Sequence, residues 1–262
     1  MEPQNGKKAR DMHNRATTET GDHHPSAVNV IITRPEPDAS EFARELRAHG
    51  FNPLLSPAMT IELTDEQPDL DAISALAFTS ANGCRAFAEK SAMRNLPVFA
   101  VGPETAGAAR QAGFLDVEVA NGNVASLVDL ISSLPQKLSM LHVAGRDRAG
   151  DLVSSLNARQ IEAKRAVLYR ATPQDQLSAG ARQALIDQPQ RTWVTIFSPR
   201  TAHIFLKQIE NAGVILDELQ LKIVCLSKMV ASPLVASGVF DVHVADQGTR
   251  QEMVDLMKRI GI

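Results

Sequence analysis

Residues 98–106 read Val-Phe-Ala-Val-Gly-Pro-Glu-Thr-Ala, and residues 223–231 read Ile-Val-Cys-Leu-Ser-Lys-Met-Val-Ala, so the same pattern returns after 125 positions. Each copy is an apolar run, a small polar turn and an amphipathic stretch, followed by a glycine and a second apolar run. This order is typical of a strand, a helix and a second parallel strand. The duplication predicts two similar lobes, each presenting helix N-terminal N–H groups to one cleft.

Two further pairs of segments repeat along the chain. Residues 76–83 match residues 195–202 at a shift of 119, and residues 30–46 match residues 140–156 more faintly at a shift of 110. We label the units at 30–46 and 140–156 as type a, those at 76–83 and 195–202 as type b, and those at 98–106 and 223–231 as type c. Along the chain they occur in the order a, then b-c-a, then b-c. We expect the middle group to form a contiguous lobe, and the first and last groups to combine into a discontinuous one.

The alternation of strands and helices predicts an α/β fold, with a small, doubly wound parallel sheet in each lobe. The predicted limits are 28–53 with 174–262 for the discontinuous lobe, 60–166 for the contiguous lobe, and 54–59 and 167–173 for two extended interlobe linkers. Residues 1–27 are polar, with no aromatic, valine or isoleucine side chain, which predicts a disordered tail. Asp38 is expected to cap the first helix.

The composition excludes several classes of function. A net charge of −3 provides no basic field for nucleic acid. Two isolated cysteines, Cys84 and Cys225, make neither a disulfide framework nor a metal site, and each is expected to be a buried thiol. No apolar run approaches the roughly 20 residues of a membrane span. Because no apolar signal core is present at the N-terminus, we expect a cytoplasmic protein.

Motifs of cofactor and hydrolase chemistry are also absent from the sequence. It contains no glycine-rich dinucleotide or nucleoside triphosphate loop, no paired histidine or cysteine ligands, and no serine nucleophile elbow. His142 and His243 are isolated within apolar strands and are interpreted as core or edge residues. We therefore expect no cofactor and no metal.

The turns that follow the predicted strands carry hydroxyl, glycine and amide residues with a few cations. Such turns leave helix N-terminal N–H groups free to bind anions. The candidate binding residues are Thr33, Arg34, Ser80, Asn82, Gly83, Gly102, Glu104, Thr105, Gly145, Arg146, Ser198, Arg200, Thr201, Ser227 and Lys228. Taken singly, Ser80, Thr105, Ser198 and Ser227 are better explained as caps of their own helices. Taken together, the six turns favour binding of a polyanion.

Tyr169, the only tyrosine, lies on a predicted interlobe crossing, where its side chain can reach the cleft. A phenol with a pKa of about 10 can donate a proton at neutral pH. A packed aromatic residue explains this position equally well on the residues alone.

These segments together resemble the uroporphyrinogen-III synthase family. The resemblance covers the chain from about Val28 onward and rests on the order and spacing of several short motifs. They are Thr33-Arg34-Pro35, Phe78-Thr79-Ser80-Ala81-Asn82-Gly83, Val101-Gly102-Pro103-Glu104-Thr105-Ala106, Leu168-Tyr169-Arg170, Phe197-Ser198-Pro199-Arg200-Thr201-Ala202 and Ser227-Lys228-Met229-Val230-Ala231. The chain departs from the family at Met229, where many members carry a small hydroxyl residue.

The resemblance implies two flavodoxin-like lobes joined by a pair of extended linkers. It also implies that the chain closes hydroxymethylbilane, a linear tetrapyrrole with eight carboxylates, with loss of water and inversion of the terminal ring. Tyr169 matches the family's tyrosine and is the candidate proton donor. We further expect a monomer that contacts hydroxymethylbilane synthase only transiently.

Two other interpretations fit the same repeats and cleft. One is a non-catalytic, hinged two-lobe protein that binds a small anion or a tetrapyrrole, which assigns no special role to Tyr169. The other is a degenerate synthase paralogue that binds tetrapyrroles without turnover. Lys228 can contact a substrate carboxylate or remain solvated, and the residues favour neither.

Overall fold

The computed structural model describes residues 27–136, 138–147, 151–213 and 221–261, so the predicted tail lies outside the described residues except for Ala27. The strands are β1 (Asn29–Ile32), β2 (Asn52–Leu55), β3 (Met59–Leu63), β4 (Ala75–Phe78), β5 (Val98–Ala100), β6 (Val117–Val119), β7 (Met140–Gly145), β8 (Ala163–Pro173), β9 (Thr192–Ile196), β10 (Leu221–Cys225) and β11 (Phe240–Val244). The helices are α1 (Asp38–Ala48), α2 (Ala81–Lys90), α3 (Pro103–Gln111), α4 (Val124–Ser132), α5 (Leu152–Ala158), α6 (Ala179–Asp187), α7 (Pro199–Ala212), α8 (Lys228–Ser237) and α9 (Arg250–Ile260).

The strands form two sheets of related topology. The first has the order β11-β10-β9-β1-β2 and is parallel throughout. The second has the order β3-β8-β7-β4-β5-β6, with β3 antiparallel to β8 and the other pairs parallel. Without β3, the two orders correspond strand for strand under the repeats of the sequence. Numbered along the chain, the first sheet has the 2-1-3-4-5 order of a flavodoxin-like sheet, and the second is its circular permutation, 3-2-1-4-5. Both sheets are doubly wound, which confirms the predicted fold class.

Successive side chains of the central strands point to opposite faces of each sheet. Since these side chains are apolar on both faces, helices cover both faces and bury them. In the first sheet, Ile31 packs in a cluster with Phe205 of α7, whereas Val30 and Ile32 pack with Phe42 of α1. These side chains are 0% exposed, and burial of each contributes about 1.5–3 kcal/mol. We call the first sheet with its helices the first lobe, and the second sheet with its helices the second lobe.

The first lobe is discontinuous in sequence. Its strand β1 pairs with β9, and all strands of the second lobe lie between these two in the sequence. The segments that were expected to be linkers are largely strands. Residues 54–55 belong to β2, and residues 167–173 continue β8, where residues 169–173 pair with β3. The exact limits of the domains stay a prediction.

Asp38 does not cap α1, contrary to the expectation. It is the first residue of the helix, Pro37 occupies the cap position, and no side-chain cap hydrogen bond is present there. The carboxylate of Asp38 binds arginines instead, as described below. Within the described ranges, every helix is too short or too polar to cross a bilayer.

Candidate active site

A cavity of about 370 Å³ lies between the two lobes at the carboxyl ends of their central strands. In each sheet the strand order reverses at one point, between β1 and β9 in the first and between β7 and β4 in the second. Doubly wound sheets bind ligands at this switch point. Because the turns after all four of these strands line the cavity, the two switch points face each other across it.

Eleven of the predicted site residues line this cavity: Thr33, Arg34, Ser80, Asn82, Glu104, Thr105, Gly145, Tyr169, Ser198, Arg200 and Thr201. Five do not: Gly83, Gly102, Arg146, Ser227 and Lys228. Other cavity residues were not among the predicted ones. They are the polar Asp38, Thr79 and Asp147 and the apolar Met59, Ile61, Phe197 and Leu226, which form one wall.

The five residues outside the cavity have other surroundings. Gly83 packs so tightly that a Cβ there would lie 3.0 Å from the carbonyl oxygen of Val143, and Gly102 begins α3 beside Gly122. The Arg146 N–H donates to the Tyr169 carbonyl oxygen at 2.9 Å. Lys228 is exposed at the start of α8.

The three predicted site serines are N-caps of their own helices. The Oγ atoms of Ser80, Ser198 and Ser227 accept N–H donors of their own helices at 3.2, 3.1 and 3.4 Å. For Thr105 the capping interpretation was wrong, because it lies inside α3, whose N-cap is Gly102. Ser80 and Ser198 therefore hold two helix N-termini at the cavity wall, where free N–H groups favour anions.

The two threonines that directly follow β1 and β4 have hydroxyls that are bonded to protein groups. Thr33 Oγ1 donates to the carbonyl oxygen of Thr195 at 2.7 Å and fastens β1 to β9. Thr79 Oγ1 lies 3.1 Å from Nε2 of His142, which is buried in β7. Burial and the nearby Arg165 lower the pKa of His142 to about 4, so its ring is neutral at pH 7. This agrees with the prediction of a core residue.

Tyr169 lies on β8 with its ring in the cavity wall and is only 9% exposed. Gly145 makes room for this ring, since a Cβ at Gly145 would lie 2.9 Å from two ring carbons. Burial raises the pKa of the phenol above its usual value, although a hydrogen bond with Ser80 and the charge of Arg200 oppose this. The phenol therefore carries its proton at neutral pH and can donate it into the cavity.

Arg34 is the best-anchored cation of the site. Its Nη1 and Nη2 lie 3.1 Å from the two carboxylate oxygens of Glu104, and Nη2 also lies 3.0 Å from Oδ2 of Asp38. The guanidinium stacks on Phe197 at 4.5 Å. Burial opposes the charge, but the two carboxylates outweigh it and raise the pKa of Arg34. Glu104 belongs to the second lobe, so this pair joins the lobes.

Among the residues that the structure describes, two more ion pairs connect the lobes. Asp38 of the first lobe binds Arg85 of the second, which also donates to Oδ1 of Asn82 at 3.0 Å. Arg200 of the first lobe lies 2.7 Å from Asp147 of the second. Burial opposes ionisation of Asp38, yet Arg85 and Arg34 lower its pKa. Sequence spacing could have found Arg85, because it lies three residues after Asn82 on one face of α2.

A second cavity of about 690 Å³ adjoins the first. It extends between α1, α3 and the start of α9, and Arg34, Asp38, Ala81 and Glu104 line both cavities. Within the described ranges, no group of three or more histidine, cysteine, aspartate or glutamate side chains is placed to hold a metal ion.

Comparisons with known proteins agree with this geometry. Uroporphyrinogen-III synthetase from Helicobacter pylori superposes with a TM-score of 0.61 at 17% identity, covering 89% of this chain and 99% of that one. A mutant uroporphyrinogen III synthase from Thermus thermophilus gives a TM-score of 0.53 at 18% identity, covering 89% and 98%. At these identities the likeness establishes the fold.

The sequence comparison identifies the family. No curated protein matches the chain in a sequence search. The family model described as uroporphyrinogen-III synthase HemD matches residues 40–255, which is most of the chain. The match covers the turns after β4, β5, β7 and β9 and the strand that carries Tyr169. This chain therefore belongs to the uroporphyrinogen-III synthase HemD family of tetrapyrrole biosynthesis, as the sequence predicted.

Proposed function

We propose that this chain converts hydroxymethylbilane into uroporphyrinogen III, closing the macrocycle with inversion of the terminal ring and loss of water, which is the reaction of a lyase. Family membership supports an enzyme of this pathway. The observation that carries the proposal is the position of Tyr169. Its protonated phenol lies in a cavity at two facing switch points, beside helix N-termini and arginines.

The walls suit a flexible polyanion. The N-termini of α2, α3 and α7 border the cavity, together with Arg34 and Arg200. Each carboxylate at an exposed helix N-terminus gains about 0.3–1 kcal/mol, and more where the site is partly buried. Many such contacts can hold a substrate with eight carboxylates although the net charge of the protein is −3.

The reaction begins at the hydroxymethyl group of the substrate. We assign to Tyr169 the donation of a proton to the leaving oxygen, while the adjacent pyrrole nitrogen supplies electrons and the C–O bond breaks. Water leaves, and the resulting azafulvene is attacked by the substituted carbon of the terminal ring. The spiro intermediate breaks one bond and recloses inverted. The proton released as the last pyrrole regains aromaticity balances the proton that the phenol donated.

Selection of the inverted product is a matter of positioning. The substituted carbon competes with the free carbon of the same ring, which closes to the uninverted isomer I without an enzyme. The cavity must therefore hold the chain folded over the reacting carbon, which is control by orientation. Apolar side chains of Met59, Ile61 and Leu226 line the same wall and limit access of water.

A coupled assay tests the proposal. Porphobilinogen and hydroxymethylbilane synthase generate the substrate, and the oxidised products are separated into isomers I and III by chromatography. Predominant isomer III is expected. Isomer I alone, from protein shown to be folded, would reject the activity and favour a non-catalytic two-lobe binding protein.

We further propose that the enzyme acts as a cytoplasmic monomer and takes its unstable substrate from hydroxymethylbilane synthase during transient contacts. Light scattering with size-exclusion chromatography tests the monomer, and fractionation of the source cells tests the location. Chemical cross-linking of the two enzymes during turnover tests the contact, and a cross-linked pair is expected only if they meet.

A further inference from the structure

The cavity that holds Tyr169 is small for the proposed substrate. Sites for drug-sized ligands occupy about 300–1,000 Å³, and a tetrapyrrole with eight carboxylates is larger than such ligands. The first cavity, at about 370 Å³, lies near the lower end of that range. The second cavity, at about 690 Å³, continues directly from it. The space between the lobes is thus much larger than the first cavity alone, but it is divided.

An ion pair lies where the two cavities meet. Among the four residues that line both cavities, Arg34 of the first lobe and Glu104 of the second meet in a bidentate contact with both N–O distances at 3.1 Å. This is the geometry in which arginine recognises a carboxylate of any origin. A carboxylate of the substrate could therefore replace Glu104 without a change at the guanidinium.

The two partners are held to different degrees. The Arg34 side chain is only 11% exposed, and Asp38 and Phe197 of its own lobe hold it in place. The Glu104 side chain is 51% exposed and makes its contacts with Arg34 alone among the interactions described for it. Glu104 also lies in the first turn of α3, where the helix N-terminus stabilises its charge once it has left Arg34.

We propose that the two cavities are halves of one polycarboxylate site, and that Glu104 divides them by occupying Arg34 in place of a substrate carboxylate. Binding exchanges Glu104 for the substrate on Arg34, and the wall between the cavities opens. Arg34 is then a residue that selects the substrate. Glu104 is a competitor that, together with the pairs Asp38–Arg85 and Arg200–Asp147, holds the lobes closed without it. The inference rests on the proposed function for the identity of the polycarboxylate.

The variant Glu104→Gln tests this exchange, because it removes the competing charge from a half-exposed position and leaves the fold intact. Glu62→Gln is the matched control, since Glu62 pairs with Arg170 inside the second lobe and lines neither cavity. The ligand is uroporphyrin III, a stable octacarboxylate, and its binding is followed by porphyrin fluorescence anisotropy. We expect Glu104→Gln to bind it about two- to fivefold more tightly than wild type, as loss of one partly exposed ion pair allows. Glu62→Gln should bind like wild type.

Small-angle X-ray scattering gives a second readout that does not depend on turnover. The ligand-free Glu104→Gln protein should have a larger radius of gyration than wild type, and raising the salt concentration should enlarge wild type toward it. Equal radii and equal affinities in the variant and wild type would overturn the inference.

Arg34→Gln separates competition from simple repulsion of the anionic ligand. If Glu104 competes for Arg34, Glu104→Gln gains little affinity in an Arg34→Gln background, and the double-mutant cycle is non-additive. The same gain in both backgrounds would mean that Glu104 merely repels the ligand and would overturn the exchange. A protein that yields only isomer I yet passes these binding and scattering tests would reject the proposed function alone.

Discussion

The ring of Tyr169 rests on the backbone of Gly145, and a Cβ at that glycine would lie 2.9 Å from Cε2 and Cζ of the ring and 3.1 Å from the phenol oxygen. The two residues come from neighbouring strands, β7 and β8, and are paired in register at an irregularity of the ladder. The absence of a side chain at one residue thus sets the place of the proposed proton donor. Gly145 was predicted as a substrate contact, which stays a prediction, and the structure shows that it packs against Tyr169.

Gly145→Ala should therefore impair catalysis by displacing Tyr169. We expect kcat to fall by up to about 100-fold, the loss typical of a misplaced catalytic group. Unfolding should become easier by about 1–3 kcal/mol, because the added methyl group overpacks the wall. Steady-state kinetics and urea denaturation measure the two effects. Gly180→Ala is the control, since a Cβ at Gly180 in α6 meets no atom within 4 Å, and it should leave kcat unchanged.

Tyr169→Phe should keep the ring and lose the proton. We expect kcat to fall by about 100-fold or more, the contribution of a general acid, while the affinity for uroporphyrin III stays close to that of wild type. The remaining product should contain more isomer I, because spontaneous closure then competes. The coupled assay with isomer separation measures this. Full activity of the variant would exclude Tyr169 as the donor, and the double variant with Gly145→Ala should be no slower than Tyr169→Phe.

His142 should make the protein acid-sensitive. Its pKa is about 4 in the folded protein and about 6.5 in the unfolded chain. Between these pH values the imidazole is protonated in the unfolded chain and neutral in the folded protein. The stability from His142 is complete above pH 6.5 and is lost as pH falls toward 4, by roughly 3 kcal/mol. Urea denaturation of wild type and His142→Gln across this range measures it. The variant should show a flatter dependence on pH, and parallel curves would contradict the prediction.

Asp38→Asn should destabilise the contact between the lobes. Loss of the carboxylate deprives Arg85 and Arg34 of a partly buried charged partner, at a cost of about 1.5–3 kcal/mol. The pKa of Asp38 is lowered in the folded state, so its contribution is present at neutral pH and lost as pH falls below its unfolded value of about 4. Thermal unfolding at neutral and acidic pH checks both points.

Asp129→Asn is the control for that substitution. Asp129 pairs with Arg159 at 2.8 Å on an exposed surface of the second lobe and lines neither cavity. Exposed pairs contribute about 0–1 kcal/mol. If the two variants lost the same stability, the anchoring role given to Asp38 would be wrong.

The repeats in the sequence predicted the fold well, because each apolar run and its following turn are local features that survive in each copy. They specified the discontinuous lobe and the correspondence of β5 with β10 and of β4 with β9. They did not show that the two segments that cross between the lobes would form strands β3 and β8 and pair with each other. Pairing of an edge strand depends on partners distant in sequence.

The site was less predictable than the fold, because lobe packing decides which turns face the cavity. The two copies of the first repeat illustrate this, since Glu104 of one copy lines the cavity and Met229, its counterpart at the shift of 125, does not. A repeat defines the place of a turn in its own sheet and carries no information about the opposite lobe. The prediction that Asp38 caps α1 failed for the same reason, because its partner Arg85 lies on the other lobe.

The pairing of β3 with β8 also bears on how the chain reaches its fold. The first lobe must join β1 to β9, whose residues Asn29 and Thr192 lie 163 positions apart. Once the second lobe has formed and β3 is paired with β8, the loop that must close between β1 and β9 contains only residues 33–58 and 174–191. Since closure entropy grows with the logarithm of loop length, this saves roughly 1 kcal/mol. Prior folding of the second lobe therefore lowers the entropic cost of pairing β1 with β9.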